Sequence, residues 1–446
     1  MSTYKYSLFD YHAISQAEIA IDGITVLAGE NGCGKSTLSR WLYYLVNTAA
    51  NFDELLFDEL KMQLDGLLQQ GRTIVREVGR VVREFNSSDF IDLSGNLRRV
   101  TFSQENSVNV VMQMFERALR ILGAGLIEYL SDSRSELRIQ RMNLYLNLNI
   151  DSQENLQPSV DSYIEGKLQE AEAFLAEYNR NVEERTTEHF FDLVHSTYGV
   201  EDKEPERIQL SEDGVKLLRK NGLGNLLALD RAIYVDTPMA LNFGSTHSDS
   251  VFWSDLRRMM KSSPKPPTPS SFKLLIRVRN LIGGDVRLQD SLYQGKELHY
   301  VRKSDNLNIK LEDTATGMKT FAYIQKLIEN GFLNNRTLLL IDEPEAHLHP
   351  KWIFEFAHLL VLLYKELGVK VMVASHNPDM VAAIQRVAQV ENVIDDTHFY
   401  QAYLLNDGFQ YAYHDLGGAI NEIFRSFNIA TSRIQDYGEP KETISE

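Results

Sequence analysis

The sequence has one cysteine, no long apolar run and no excess of positive charge, and each shortage excludes a class of protein. With Cys33 as the single cysteine in 446 residues, no internal disulfide can form. No stretch reaches the roughly 18 apolar residues that a membrane-spanning helix needs. The N-terminal residues lack the apolar core of a signal peptide. We therefore expect a cytoplasmic protein with no membrane partner.

The charge balance is strongly acidic, with a formal net charge of −16. A uniformly acidic surface repels a phosphate backbone, which argues against nucleic acid as the obvious partner of the whole chain. One local exception stays open, because four arginines recur at helical spacing and predict a single basic stripe: Arg72, Arg76, Arg80 and Arg83. A solvated helix face is the usual meaning of such a stripe. Nucleic acid is therefore a partner that the sequence allows but does not imply.

The apolar pattern changes along the chain. Residues 1–30 alternate and predict two antiparallel strands and a third that ends at Gly29, and a helix is expected from Lys35 through Leu45. Residues 51–198 are mostly helical in pattern. A return strand is expected at 231–235 (RAIYV), and short strands from Phe272 to Leu311. Roughly the last 130 residues alternate strand and helix, as in a parallel sheet.

These patterns predict an α/β fold whose head, a mixed sheet with flanking helices, is split by a mostly helical insertion. We expect the first part of the head at residues 1–50, the insertion at 51–230, and the second part of the head at 231–446. Residues 261–271 (KSSPKPPTPSS) are predicted to be a flexible loop, because proline removes hydrogen-bond donors and fixes φ.

A phosphate loop follows the third predicted strand. Residues 29–36 (GENGCGKS) match G-x-x-x-x-G-K-[ST], in which glycines let the backbone wrap around phosphate and a helix N-terminus adds its dipole. Lys35 is expected to reach the β- and γ-phosphates, and Ser36 to ligate Mg²⁺. Cys33 is read as an incidental small side chain. The predicted nucleotide-binding residues are Gly29, Glu30, Asn31, Gly32, Cys33, Gly34, Lys35, Ser36 and Thr37.

Two later strands end in polar residues. The apolar strand TLLLI (337–341) is followed directly by Asp342 and Glu343. These residues lie at the carboxyl end of the strand, which is where parallel sheets bind ligands. We expect Asp342 to hold Mg²⁺ and Glu343 to act as the general base that polarises water. The next strand, 369–374, leads into Ser375 and His376. His376 is a candidate sensor of the γ-phosphate. The alternatives are structural: an acidic helix N-cap after the first strand and a capping histidine after the second.

Three segments together resemble the ABC-ATPase superfamily, and within it the RecF/SMC and OLD-like branch. They are GENGCGKST at 29–37, DEPEAHLHP at 342–350 and SHNP at 375–378. They cover the head, about half of the chain. The resemblance implies ATP and Mg²⁺ as cofactors, ATP hydrolysis as the activity, and a head-to-head dimer or higher oligomer whose ATP sites lie between two copies.

Two family features are less clear in this sequence. The family's signature motif, a serine and a glycine that cap the γ-phosphate of ATP on the other subunit, corresponds to residues 314–319 (TATGMK). Gly317 matches, and the serine is replaced by Ala315 or by Thr316, depending on the alignment. Thr316 keeps a hydroxyl, although hydrolysis is then expected to be slower. Gln104 is the candidate for the family's glutamine-loop metal ligand.

The resemblance also bears on biological role. OLD relatives carry a nuclease domain behind the head, and the residues after His376 leave no room for one. Two-gene anti-phage systems such as Septu and PARIS pair a similar ATPase with a separate effector, a nuclease or toxin, and we expect that arrangement. The alternatives are a nucleotide-gated scaffold with negligible hydrolysis and a RecF/SMC-like DNA-repair ATPase. A transporter ATPase is disfavoured, because the sequence HLHP after the acidic pair is foreign to that branch.

Overall fold

The computed structural model describes residues 2–82, 85, 87–103, 106–131, 136–152, 154–220, 222–236, 251–291 and 295–424. Its strands are β1 (Tyr4–Tyr11), β2 (Ile14–Ala20), β3 (Ile24–Ala28), β4 (Arg207–Glu212), β5 (Val215–Lys216), β6 (Leu218–Arg219), β7 (Gly222–Leu223), β8 (Arg231–Val235), β9 (Asp285–Ser291), β10 (Gly295–Arg302), β11 (Leu307–Lys310), β12 (Thr337–Asp342), β13 (Lys370–Ser375), β14 (Thr397–Leu404) and β15 (Tyr411–Asp415). Its α-helices are α1 (Lys35–Ala50), α2 (Phe52–Val81), α3 (Ser87–Leu97), α4 (Ser107–Leu130), α5 (Glu136–Leu146), α6 (Leu156–Glu184), α7 (Thr187–Tyr198), α8 (Val251–Lys261), α9 (Pro269–Ile282), α10 (Thr316–Glu329), α11 (Pro350–Leu367) and α12 (Pro378–Val390). No helix in these ranges is long and apolar enough to cross a bilayer.

The chain divides into two compact units. Met1–Ala50 and Val194–Glu446 form the head, and Asn51–Leu193 form the helical unit. The prediction that the insertion extends to residue 230 is therefore wrong. The physical reason is backbone pairing, since β4 is antiparallel to β1 with Leu210 opposite Tyr6, and this ladder holds the residues after 193 in the head.

The head is built on one ten-stranded mixed sheet. Five neighbouring strands are parallel, namely β8, β12, β13, β3 and β14, while β1 is antiparallel to both β2 and β4. At the end of the described chain, β14 and β15 form an antiparallel hairpin that turns at residues 406–408. The predicted fold class, an α/β head with a mixed sheet and flanking helices, is confirmed. The strand order is β5-β4-β1-β2-β15-β14-β3-β13-β12-β8.

The central strands β3, β12 and β13 are buried along their whole length. Their runs of Val, Ile and Leu suit strands that are covered on both faces. Helix α1 contacts β8, β12 and β13, and the opposite face forms one apolar core with α8 to α12. In the register, Ala28 lies opposite Ser375 and Ala374 lies opposite Asp342. The carboxyl ends of the three strands therefore lie side by side, and the term sheet edge is used below for this border of the sheet.

The region around the proline-rich segment differs from prediction. Residues 269–282 form α9 rather than a strand, because Leu274, Leu275, Val278 and Ile282 recur at helical spacing and all four are buried. Pro269 occupies the first turn of the helix, where a backbone N–H would have no acceptor within the helix, so the missing N–H of proline costs no hydrogen bond. The Thr268 hydroxyl caps the helix by accepting from the Ser271 N–H. The irregular part of the predicted 261–271 loop is thus limited to residues 262–268.

The helical unit contains α2 to α6, which surround an apolar core of their own. Helix α2 contacts α3, α4 and α6. Its Asp65 is almost completely buried and forms ion pairs with Arg72 and Arg98, which together hold the pKa of this carboxyl below its usual value against the opposing effect of burial. Arg72 is therefore committed to an internal contact. Arg76 and Arg80 are exposed, and Arg83 lies outside the described residues.

Candidate functional site

The phosphate loop joins the buried end of β3 to the start of α1, as predicted. Gly32 and Gly34 have φ values of 85° and 94°, in the region that favours glycine. A Cβ on Gly34 would lie 2.6 Å from the Ile14 Cγ1 atom, and one on Gly29 would lie 2.8 Å from the Cys33 sulfur. The loop conformation therefore depends on glycine at these positions. Glu30, Asn31, Gly32 and Ser36 are exposed at its rim, and Thr37 is half-buried.

Lys35 is buried inside this loop. Its Nζ donates hydrogen bonds to the Gly29 carbonyl at 2.9 Å and to the Glu30 carbonyl at 2.8 Å. The ammonium thus lies within the ring of backbone that the motif forms. A fixed positive charge held next to the N-terminus of α1 is the arrangement that phosphate groups require.

Cys33 supports the loop from beneath rather than facing solvent. It is fully buried, and the Tyr413 hydroxyl donates to the Cys33 carbonyl at 3.0 Å. Tyr413 lies on β15, so a strand from the far end of the sequence fixes the phosphate loop. The sequence predicts only an incidental small side chain at Cys33, and the burial of that side chain gives it a packing role that the motif does not indicate.

Asp342 lies at the end of β12 and is held on both oxygens. The Ser39 hydroxyl donates to Oδ1 at 3.0 Å, and the Tyr234 hydroxyl donates to Oδ2 at 2.7 Å. Burial raises the pKa of the Asp342 carboxyl, while the hydrogen bonds from Tyr234 and Ser39 act in the opposite direction. Ser36, the other predicted metal ligand, lies on helix α1 about one turn before Ser39.

Glu343 and His376 follow neighbouring strands and are close to each other. His376 Nδ1 lies 3.3 Å from Glu343 Oε1, an ion-pair distance when the imidazole is protonated. The Glu343 amide donates to the Ala374 carbonyl at 2.8 Å, and Glu343 has a φ of 47°. A positive φ is uncommon for a residue with a side chain and recurs at functional sites. Both side chains remain partly exposed, so each can reach a ligand at this edge.

Glu345 is a component that the sequence motif contains but that had no predicted role. Its side chain is buried, and Oε1 accepts from the Ser375 hydroxyl at 2.7 Å and from the His376 amide at 3.2 Å. Burial raises the pKa of the Glu345 carboxyl, and the hydrogen bond from Ser375 opposes this effect. Glu345 thereby ties the loop after β12 to the loop after β13.

The predicted signature segment begins α10. Ala315 is the N-cap residue, is exposed, and provides no side-chain hydrogen bond to the helix. Thr316 is half-buried. Gly317 is buried, and a Cβ there would lie 3.0 Å from Leu348 Cδ2 and 3.4 Å from the His347 carbonyl. Glycine at 317 therefore also has a packing role within its own chain. Gln104, the candidate glutamine-loop residue, lies outside the described residues.

These groups fit a nucleoside triphosphate with a divalent cation. The glycine-rich loop and the buried Lys35 ammonium suit phosphate oxygens. The Ser36 hydroxyl and the Asp342 carboxylate are hard oxygen donors, which Mg²⁺ prefers. Glu343 and His376 lie at the same sheet edge, and both side chains are partly exposed. Sequence reasoning missed Ser39, Tyr234 and Tyr413, because each of them contacts a residue that is far away in the sequence.

Comparison with known families decides the class. The family described as AAA ATPase domain matches residues 128–381, more than half of the chain. The chain belongs to the AAA ATPase domain family. The match to this ATPase family includes Asp342, Glu343 and His376, and the phosphate loop lies N-terminal to it.

Some solved structures are distantly similar to this chain. An Smc head bound to the C-terminal winged-helix domain of ScpA is 11% identical with a TM-score of 0.37, covering 95% of this chain and 99% of that one. An Smc head domain from Pyrococcus yayanosii is 11% identical with a TM-score of 0.36, covering 97% and 100%. The ATP-binding cassette MJ1267 of an ABC transporter, in its ADP conformation, is 10% identical with a TM-score of 0.34, covering 98% and 100%. No curated protein matches the chain significantly.

Proposed function

We propose that this AAA ATPase binds ATP with Mg²⁺ and hydrolyses it, and that two copies of the head share each site as a nucleotide-gated switch. The observation that carries the proposal is the meeting of four elements at one sheet edge: the phosphate loop, Asp342, Glu343 and His376. Parallel sheets bind their ligands at this edge.

Each residue has a distinct proposed role. Lys35 and the loop amides bind the β- and γ-phosphates. Ser36 and Asp342 hold Mg²⁺, which supplies charge neutralisation on the phosphates when it is bound. Glu343 accepts a proton from the attacking water. His376, 3.3 Å from Glu343, contacts the γ-phosphate and reports its presence.

The dimer is the part of the proposal that rests on the signature segment. An uncapped helix start has free amides and a partial positive charge, which suit phosphate oxygens. At α10 the N-cap residue is Ala315, whose exposed side chain has no atom that could accept a hydrogen bond from the helix amides. The resemblance to ABC-type ATPases supports placing this helix start, with Thr316 and Gly317, against ATP bound to the other copy.

Position 315 allows a test in which charge is the only variable. Ala315→Asp and Ala315→Asn should both cap α10, because both side chains accept from helix amides. Both variants occupy helix amides, but only Asp also places a negative charge against the partner's γ-phosphate. Ala315→Asp should therefore lose ATPase activity, and Ala315→Asn should lose much less of it. Position 317 is less suitable, since its Cβ would press on Leu348.

Mixing two inactive variants then tests whether the site is shared. A Lys35→Ala chain supplies an intact α10, and an Ala315→Asp chain supplies an intact phosphate loop. In an equal mixture with free subunit exchange, about one quarter of wild-type ATPase activity should return, because half of the dimers have one complete site. No recovery at any mixing ratio, with exchange verified by labelled subunits, would mean that the site works within one chain.

We further propose that the switch controls a separate effector in anti-phage defence. The support is an analogy: the DEPEAHLHP segment resembles the RecF/SMC and OLD-like branch, and the size of the chain and its medium-sized helical insertion suit the ATPase subunits of two-gene defence systems. The decisive experiment expresses the chain with the product of its neighbouring gene and measures phage plaquing. Protection that is lost in both Lys35→Ala and Glu343→Gln supports the proposal. Equal plaquing with and without the pair would contradict it.

A further inference from the structure

Tyr234 belongs to no recognised motif, yet it contacts the carboxylate to which the proposed function assigns a metal ion. Its hydroxyl donates to Asp342 Oδ2 at 2.7 Å, while the Ser39 hydroxyl donates to Oδ1 at 3.0 Å. Tyr234 is 1% exposed, so this hydrogen bond is shielded from water. With one donor on each oxygen, the plane of the Asp342 carboxylate is fixed.

The register of the sheet explains why these groups meet. Strands β8 and β12 are parallel, with Tyr234 opposite Leu340. Because side chains alternate along a strand, Tyr234 and Asp342 share one face of the sheet. Helix α1, which carries Ser39, contacts both strands. The hydrogen bonds therefore join an edge strand, the acidic strand and the helix that follows the phosphate loop.

The chemistry of the two groups sets the direction of the Tyr234 hydrogen bond. A phenol has a single proton, and an ionised carboxylate can only accept. The proton of Tyr234 is therefore the one that is donated to Asp342.

We propose that Tyr234 is a positioning residue for the divalent cation of the bound nucleotide, acting through Asp342. The inference rests on the proposed function, since it assumes that Asp342 holds the metal. Partners of metal ligands orient the ligand and typically change metal affinity or activity by about 10- to 100-fold when removed. Tyr234 thus extends the metal site to β8, the outermost strand of the sheet.

The test uses Tyr234→Phe, which removes only the hydroxyl. Binding of a non-hydrolysable ATP analogue is measured by calorimetry across a Mg²⁺ titration and again without metal. We expect the variant to need about tenfold more Mg²⁺ for half-maximal enhancement of binding. Metal-free binding should be unchanged. Ser39→Ala should have a similar effect, and the double variant less than the product of both, because both act through one carboxylate.

Tyr6→Phe is the matched control. Tyr6 is a buried tyrosine of the same head whose hydroxyl has no hydrogen-bond partner among the described residues. Its removal should leave the Mg²⁺ titration at the wild-type position. If Tyr234→Phe lowers thermal stability but titrates like the wild type, the hydroxyl only satisfies a buried acid and the inference is overturned. If the wild type itself shows no Mg²⁺-dependent binding, the proposed function fails as well.

Discussion

Replacing Lys35 by alanine is expected to abolish ATP binding. The ammonium is buried in the phosphate loop and bonds to the Gly29 and Glu30 carbonyls, from which it can transfer to phosphate oxygens. A hydrogen bond to a charged group contributes about 1.5–3 kcal/mol, so losing two of them should weaken binding by at least about 100-fold. Calorimetry with a non-hydrolysable ATP analogue measures this loss.

Lys370→Ala is the matched control for the Lys35 variant. Lys370 is also a buried lysine that donates to a backbone carbonyl, that of Asn335, but it begins β13 and so lies at the opposite end of that strand from His376. This variant should lose some stability and keep its ATP affinity. Unchanged affinity in Lys35→Ala would refute the assignment of the phosphate loop.

Replacing Glu343 by glutamine is expected to preserve ATP binding and stop hydrolysis. Glutamine matches glutamate in shape but cannot accept the proton of the attacking water. Losing a general base costs roughly 10²- to 10⁴-fold in rate, on the order of 3–5 kcal/mol in activation free energy. Steady-state phosphate release measures the rate. Glu366→Gln is the control, because it removes a negative charge at an exposed position near the end of α11. This variant should keep its ATPase activity.

The Glu343 variant should also trap the closed dimer. ATP that cannot be hydrolysed keeps both copies engaged, so size-exclusion chromatography with ATP should show a stable dimer. Adding Lys35→Ala to the same chain should return it to the monomer. Phosphate release within a few-fold of the wild-type rate would mean that another residue is the general base, with Glu345 as the next candidate.

The parts of the site that sequence could predict are those in which chemistry and strand position are encoded locally. The glycines and Lys35 are consecutive, and Asp342 and Glu343 directly end an apolar strand. Tyr234 could not be predicted, because its contact with Asp342 spans 108 residues and depends on which strand neighbours β12. A single tyrosine in the segment RAIYV carries no signal of that pairing.

The errors in the fold have similar causes. The segment after Pro269 has apolar residues at spacings that suit either a strand or a helix. In the structure the segment is helical, because this conformation buries Leu274 and Val278 on one side of α9. The end of the helical unit was misplaced because β4 is short and its partner β1 is at the start of the chain. Long-range pairing leaves no mark in the local pattern.

The discontinuity of the head determines the order in which the protein can be completed during synthesis. Ser39 and Asp342 are 303 residues apart, and Cys33 and Tyr413 are 380 residues apart. At a translation rate of about 5–20 residues per second, β2 and β3 wait tens of seconds on the ribosome for their parallel neighbours. The helical unit is contiguous and can fold in that interval. A nascent chain therefore carries its phosphate-loop sequence long before Asp342 and Tyr413 are synthesised and can contact the residues around that loop.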